Sequence, residues 1–145
     1  MKLKFKGKVA VVTGGSGGIG LDVSKKLAKL EIKVLILDVK KPNITTNKFL
    51  YFEKVDLSNK NAINQVLDKF IKKQKRIDYL INAAGVLWFD KDLGIEKIQT
   101  SIWDKVFEIN LKSMFLVLKK VLPSMKKNKF GSIVNISSID ALSGD

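Results

Sequence analysis

Neither cysteine nor histidine occurs in this 145-residue chain. Without cysteine there is no disulfide framework and no thiolate metal site. Without histidine there is no imidazole general base, no Ser-His-Asp triad and no histidine metal ligand. No apolar run reaches the length that a membrane-spanning helix needs. The basic start, Met1-Lys2-Leu3-Lys4-Phe5-Lys6-Gly7, lacks an apolar core of signal-peptide length before the first strand. The expectation is a cytoplasmic protein with no membrane partner. Arginine is almost absent as well: Arg76 stands alone although the net charge is +13. Nucleic-acid readers use arginine freely. The lysines here scatter over what read as outer helix faces, so the charge reads as a lysine-rich surface and no nucleic-acid partner is expected.

At 46% hydrophobic and 28% charged residues, the chain suits one globular domain. It is organised around Val9-Ala10-Val11-Val12-Thr13-Gly14-Gly15-Ser16-Gly17-Gly18-Ile19-Gly20. An apolar, β-branched run leads into a glycine-dense turn and then into helical periodicity. Two spacings overlap there, G-x-G-x-x-G at Gly15, Gly17 and Gly20, and T-G-x-x-x-G-x-G at Thr13, Gly14, Gly18 and Gly20. Either suits a dinucleotide pyrophosphate. Glycine leaves no Cβ between backbone and phosphate, and the following helix aims free N–H groups at the anion.

The remaining segments alternate. Strands are expected at residues 8–13, 34–38, 49–55, 77–81 and 132–136, and the first helix at 18–30 with Ile19, Val23 and Leu27 on one face. Ser58 is a plausible N-cap for the second helix, whose apolar stripe is Ile63, Val66, Leu67, Phe70 and Ile71. An irregular link at 86–99 carries Trp88 and Phe89, which suit a substrate mouth or burial under the link. A long helix begins near Thr100 and runs to about Lys127, with Pro123 expected to kink it or end its regular bonding. Its apolar residues occupy more than one side: Leu111, Met114, Phe115, Leu118, Leu122 and Met125, with Leu116, Val117 and Val121 besides. Such a helix is covered twice, by its sheet and by a partner subunit, or is buried within its own chain. The strands are continuously apolar, as in a parallel sheet covered on both faces. The fold class is therefore α/β, a doubly wound Rossmann-type sheet in the order 3-2-1-4-5, with ligands at its carboxyl edge. Asp38 ends the second strand, 18 positions past Gly20. A carboxylate there binds adenosine ribose hydroxyls and repels a 2′-phosphate, favouring NAD over NADP; the alternative is a solvated aspartate at a strand end. Lys41 could meet a 2′-phosphate, but Asp38 argues against it.

Taken together, Thr13–Gly20, Asp38, Val55-Asp56-Leu57, Asn82-Ala83-Ala84-Gly85, Asn110 and Gly131-Ser132-Ile133-Val134-Asn135-Ile136-Ser137-Ser138 resemble the short-chain dehydrogenase/reductase family over essentially the whole chain. The resemblance implies a pyrophosphate held by Gly14–Gly20, with Ser16, Gly18 and Ile19 in contact, and a ribose on Asp38. It implies that Asp56 and Leu57 border the adenine and that Asn82, Ala83, Ala84 and Gly85 approach the cofactor ribose. Asn110 would kink the long helix and hold a water of the proton relay. Ser138 would hydrogen-bond the substrate oxygen.

The family's acid/base tyrosine, followed four residues later by a lysine, should stand about a dozen residues beyond Ser138; the chain ends at Asp145. Tyr51 and Tyr79 lie in strands and cannot take that role. The resemblance thus implies an NAD-binding Rossmann domain over 1–145 that is incomplete at its carboxyl end and truncated before the last strands. In the complete protein it serves an oxidoreductase moving hydride between nicotinamide and a small-molecule alcohol or ketone. The chain alone is expected to be inactive, with its fifth strand an uncovered edge and poor solubility as a result. A homo-oligomer through the long helix around 110–127 is expected. The alternatives are a non-catalytic NAD-binding or regulatory module, and a basic nucleic-acid-interacting protein.

Overall fold

Alternate residues of the first strand bury on opposite faces of one sheet, and that alternation sorts the core into two layers. Val9 and Val11 join Leu35, Leu37, Leu80, Ile63, Leu67, Phe70, Val117, Val121 and Met125 on one face. Ala10 and Val12 join Val34, Ile36, Ile81, Leu27 and Ile32 on the other. Both faces are covered, so the strands read as unbroken apolar runs. The computed structural model describes residues 5–45, 47–91 and 93–139. The basic start at residues 1–4 and the tail at 140–145 lie outside the described residues.

The elements in order are β1 (Val9–Thr13), α1 (Gly18–Lys29), β2 (Lys33–Asp38), β3 (Leu50–Lys54), α2 (Lys60–Gln74), β4 (Tyr79–Asn82), α3 (Thr100–Phe107), a π-helical turn (Glu108–Lys112), α4 (Ser113–Lys127) and β5 (Ser132–Asn135). The five strands pair in parallel in the order β3-β2-β1-β4-β5, as the sequence implies. Register brings their carboxyl ends together: Thr13 stands opposite Leu37 and Asn82, Asp38 opposite Lys54, and Asn82 opposite Asn135. Every loop that follows a strand therefore emerges along one edge of the sheet.

Some local expectations are corrected. The N-cap of α2 is Asn59, whose side chain accepts from Asn61 N and Ala62 N, and not Ser58. Ser58 instead turns back on Asp56, an acceptor two residues away that competes for its hydroxyl. In α1 the buried positions are Gly20, Ser24, Leu27 and Ala28, while Ile19 is exposed. The long helix is continuous through Pro123, yet it widens to π geometry at Glu108–Lys112. Its inward stripe is Ser113, Val117, Val121 and Met125, whereas Leu111 and Phe115 face outward. Phe89 is exposed and Trp88 half-buried. No helix among the described residues is long and apolar enough to cross a membrane.

Candidate functional site

The glycine turn is built by its contacts. Gly14 sits at φ +64°, and a Cβ there would lie 2.6 Å from Ala84 Cα and 2.7 Å from the Ala83 carbonyl oxygen. Only glycine lets the turn leave β1 this close to the segment after β4. Thr13 Oγ1 accepts from Ala83 N at 3.2 Å and Ala84 N at 3.3 Å, tying the two strand ends together. A Cβ on Gly20 would strike the Gly14 carbonyl, so the first turn of α1 packs directly on the loop. Gly18 also has positive φ, +47°, but nothing lies within 4 Å of its missing Cβ. Helix α1 opens there with Gly17 as its N-cap and no side-chain cap, so its first N–H groups remain available.

These loops enclose a cavity of about 600 Å³ at the carboxyl edge. Gly14, Ser16, Gly18, Ile19, Gly20, Asp38, Asp56, Leu57, Ala83, Ala84 and Gly85 line it, all of them predicted from the sequence. Asp38 Oδ2 accepts from Ser16 N at 3.0 Å and Oδ1 from Lys40 N at 3.1 Å. The carboxylate is thereby fixed against the glycine loop. Ser16 Oγ is buried with no hydrogen-bond partner among the described residues. A hydroxyl placed in this way beside a cavity is free to donate to a group bound there. Asp56 Oδ1 accepts from Ser58 N at 2.9 Å and from Ser58 Oγ at 2.8 Å. Those two bonds, the backbone one first, hold its carboxyl below the usual carboxylate range against the opposing cost of burial, and the Lys105 charge adds the smallest part.

Three predicted residues stand outside the cavity wall. Asn82 is buried and donates to Asn135 Oδ1 at 2.9 Å, which joins β4 to β5. Asn110 lies in the π turn and clasps one residue of the link in both directions. Its Oδ1 accepts from Val86 N at 2.8 Å, and its Nδ2 donates to Val86 O at 2.9 Å. A π turn is a frequent device for placing one functional side chain out of helical register. Ser138 is exposed three residues beyond the end of β5. Tyr79, at the opposite end of the sheet, accepts from Gly7 N, and Tyr51 donates to Lys48 O.

Sequence reading missed Val39, Lys40, Val86, Ile109 and Ile136 as wall residues. Four of these adjoin the ends of β2, the segment after β4, or β5, so sheet register was the available signal. Ile109 reaches the wall through the π turn, which carries no composition signal. No group of three or more acidic residues among those described could hold a metal ion.

Comparisons agree with this geometry. A family model described as short chain dehydrogenase matches residues 8–144. A 3-oxoacyl-[acyl-carrier-protein] reductase FabG from Thermotoga maritima is 32% identical, the match covering 99% of this chain and 60% of the relative. An acetoacetyl-CoA reductase from an Acinetobacter species is 32% identical over 94% of this chain and 58% of that protein. Among solved structures, the Cj0485 dehydrogenase superposes with a TM-score of 0.87 at 32% identity, over 100% of this chain and 56% of the other. A short chain dehydrogenase from Leptospira borgpetersenii with bound NAD+ gives 0.83 at 27% identity, over 100% and 59%. ElxO with NADP bound gives 0.85 at 29%, over 96% and 58%. The chain thus spans no more than three fifths of the length of these relatives.

Proposed function

Because the chain belongs to the short-chain dehydrogenase family of oxidoreductases, we propose that it forms the NAD-binding part of an enzyme that moves hydride between a nicotinamide and a small alcohol or ketone. The observation that carries this reading is the carboxyl-edge cavity, where an open glycine cradle, the unmatched Ser16 hydroxyl and the fixed Asp38 carboxylate face one space. Those groups fit a nicotinamide dinucleotide: donors for its pyrophosphate and an acceptor for its ribose. When bound, such a cofactor supplies or accepts the hydride.

The chain's own residues divide the remaining work. Backbone N–H groups of Gly17–Gly20 at the opening of α1 hold the pyrophosphate, and Ser16 Oγ donates to it. Asp38 accepts from the adenosine ribose hydroxyls. Asp56 accepts from the adenine amino group beside Leu57. Ala83, Ala84 and Gly85 are small enough for the nicotinamide ribose to approach, and Asn82 braces them from within the sheet. Asn110 holds the link at Val86 and a relay water. Ser138 donates to the substrate oxygen.

The cofactor preference rests on Asp38, because a carboxylate at the ribose disfavours a 2′-phosphate. Lys40 also lines the cavity and is the cation that would favour NADP. Asp38 is the better placed of the two, since both of its oxygens are anchored by backbone donors. A homo-oligomer forms through the outward face of the long helix, where Trp103, Phe107, Leu111 and Phe115 recur every four residues and are exposed. The protein works in the cytoplasm.

The sequence contains no Tyr-x-x-x-Lys. Loss of a positioned general acid/base lowers rates by about 10²–10⁴-fold, so the chain by itself should show little turnover. A second reading, a non-catalytic NAD-binding module, uses the same cavity. Titration of NAD into the chain, followed by intrinsic tryptophan fluorescence, tests what the two readings share. Saturable binding that Asp38→Ala weakens supports them, and unsaturable binding contradicts both. Robust NADH oxidation by the chain with a ketone would contradict the expected inactivity.

A further inference from the structure

The adenine end of the cavity is tied to α3 by a polar chain that crosses 47 residues of sequence. Lys105 Nζ lies 2.8 Å from Ser58 Oγ, and Ser58 Oγ lies 2.8 Å from Asp56 Oδ1. The same ammonium is farther from Glu108, at 3.7 Å, and Lys112 shares that carboxylate from the next turn at 3.7 Å. The order of charges fixes the direction of each bond. An ammonium can only donate, and a carboxylate can only accept. Ser58 must therefore accept from Lys105 and give its single proton to Asp56. With Ser58 N also donating, Asp56 Oδ1 is saturated, while Oδ2 makes no hydrogen bond among the described residues. One oxygen is pinned and the other stays free on a residue that lines the cavity.

We infer that Lys105 is a positioning residue for purine recognition, setting Asp56 through Ser58 so that its free oxygen accepts an exocyclic amino group. This rests on the cofactor reading above. The chain specifies adenine, which carries such an amino donor, against a purine with a carbonyl at that position. Lys105 also joins this subsite to the helix that continues into the π turn, whose Ile109 lines the cavity. A plain surface ion pair between Lys105 and Glu108 is the competing role. It is the longer contact, and it predicts no effect on base choice.

The test measures dissociation constants for NAD and for nicotinamide hypoxanthine dinucleotide, whose base carries a carbonyl in place of the amino group. The wild-type chain should prefer NAD. Lys105→Met should weaken NAD by about threefold to tenfold, the size of one net hydrogen bond, and leave the hypoxanthine analogue unchanged, so the preference shrinks. Ser58→Ala should do the same, the double variant should be no worse than Ser58→Ala alone, and Lys105→Arg should restore the preference. Lys105 is half-buried, so the melting temperature of each variant is measured beside its affinities, and unchanged values verify the fold. Equal weakening of both dinucleotides, or no change in either, overturns the inference and leaves the cofactor reading standing. No NAD binding by the wild-type chain overturns the cofactor reading and this inference with it.

Discussion

Gly18 separates binding from stability at the scale of one residue. Its backbone lies at φ +47°, while the space where a Cβ would sit is open. Gly18→Ala should therefore cost only about 1 kcal/mol in stability, from the left-handed conformation. It should weaken NAD about tenfold or more, since each 1.4 kcal/mol lost at the crowded pyrophosphate is a factor of ten. Denaturant unfolding and NAD titration of one preparation read the two effects separately. Asp56 has a pH signature. Its carboxyl is held below the usual range first by Ser58 N–H, then by the Ser58 hydroxyl, with the Lys105 charge adding. A lowered pKa means that the acceptor is present above that value and disappears as pH falls through it. Its contribution to NAD affinity should then be flat between about pH 8 and 5, where an ordinary carboxylate is already ionised. Isothermal titration across that range checks it. A loss setting in above pH 5 and abolished by Asp56→Asn would contradict it. At the other end of the sheet Asp78 is fully buried, accepting from Lys8 N, Val9 N and the Arg76 guanidinium. Asp78→Ala should cost about 3 kcal/mol, because it strands those donors; urea unfolding measures it. The glycines and Asp38 were legible because their chemistry is local and their spacing is strict. Asn59 as cap was obscured by Ser58, an equally good cap former one residue earlier. Lys105 was invisible because its partner is distant in sequence and lysine is abundant everywhere.

Helices show where periodicity stops informing. Apolar residues on α4 recur on several faces, so spacing alone cannot choose the inward one. Packing against α2 and the sheet selects Val117, Val121 and Met125, all within 4% of complete burial. Leu111 and Phe115, equally apolar, remain more than half exposed. The two faces predict opposite outcomes. Val121→Ala should destabilise the chain by about 2 kcal/mol, from two lost methylene equivalents and a residual cavity, without changing its association. Leu111→Lys should leave unfolding nearly unchanged but reduce self-association in sedimentation velocity. Equal association of Leu111→Lys and wild type would remove that face as the oligomer contact. The π turn at Glu108–Lys112 was legible only as the kink that the resemblance places at Asn110; its clasp on Val86, 24 residues away, leaves no local pattern in the sequence. Pro123 is tolerated within α4 where its side is exposed, although proline normally interrupts a helix.

Over the whole molecule, strand order was readable because continuous β-branched runs separated by helices leave few unknotted right-handed arrangements. Four further wall residues were not read, since Val39, Lys40, Val86 and Ile136 join the glycine loop only through register across four strands. At one margin β5 pairs only with β4 among the described residues, and all four of its residues are exposed. An open apolar edge invites pairing between chains, so light scattering should show concentration-dependent association that Val134→Lys reduces. The cavity beside Asp38 is probed most directly by comparing the two nicotinamide dinucleotides. Isothermal titration of NAD and NADP into the same chain should give saturable one-to-one binding of NAD and distinctly weaker binding of NADP, with the difference narrowed by Asp38→Ala. Tighter binding of NADP, or no saturable binding of either, would contradict the account.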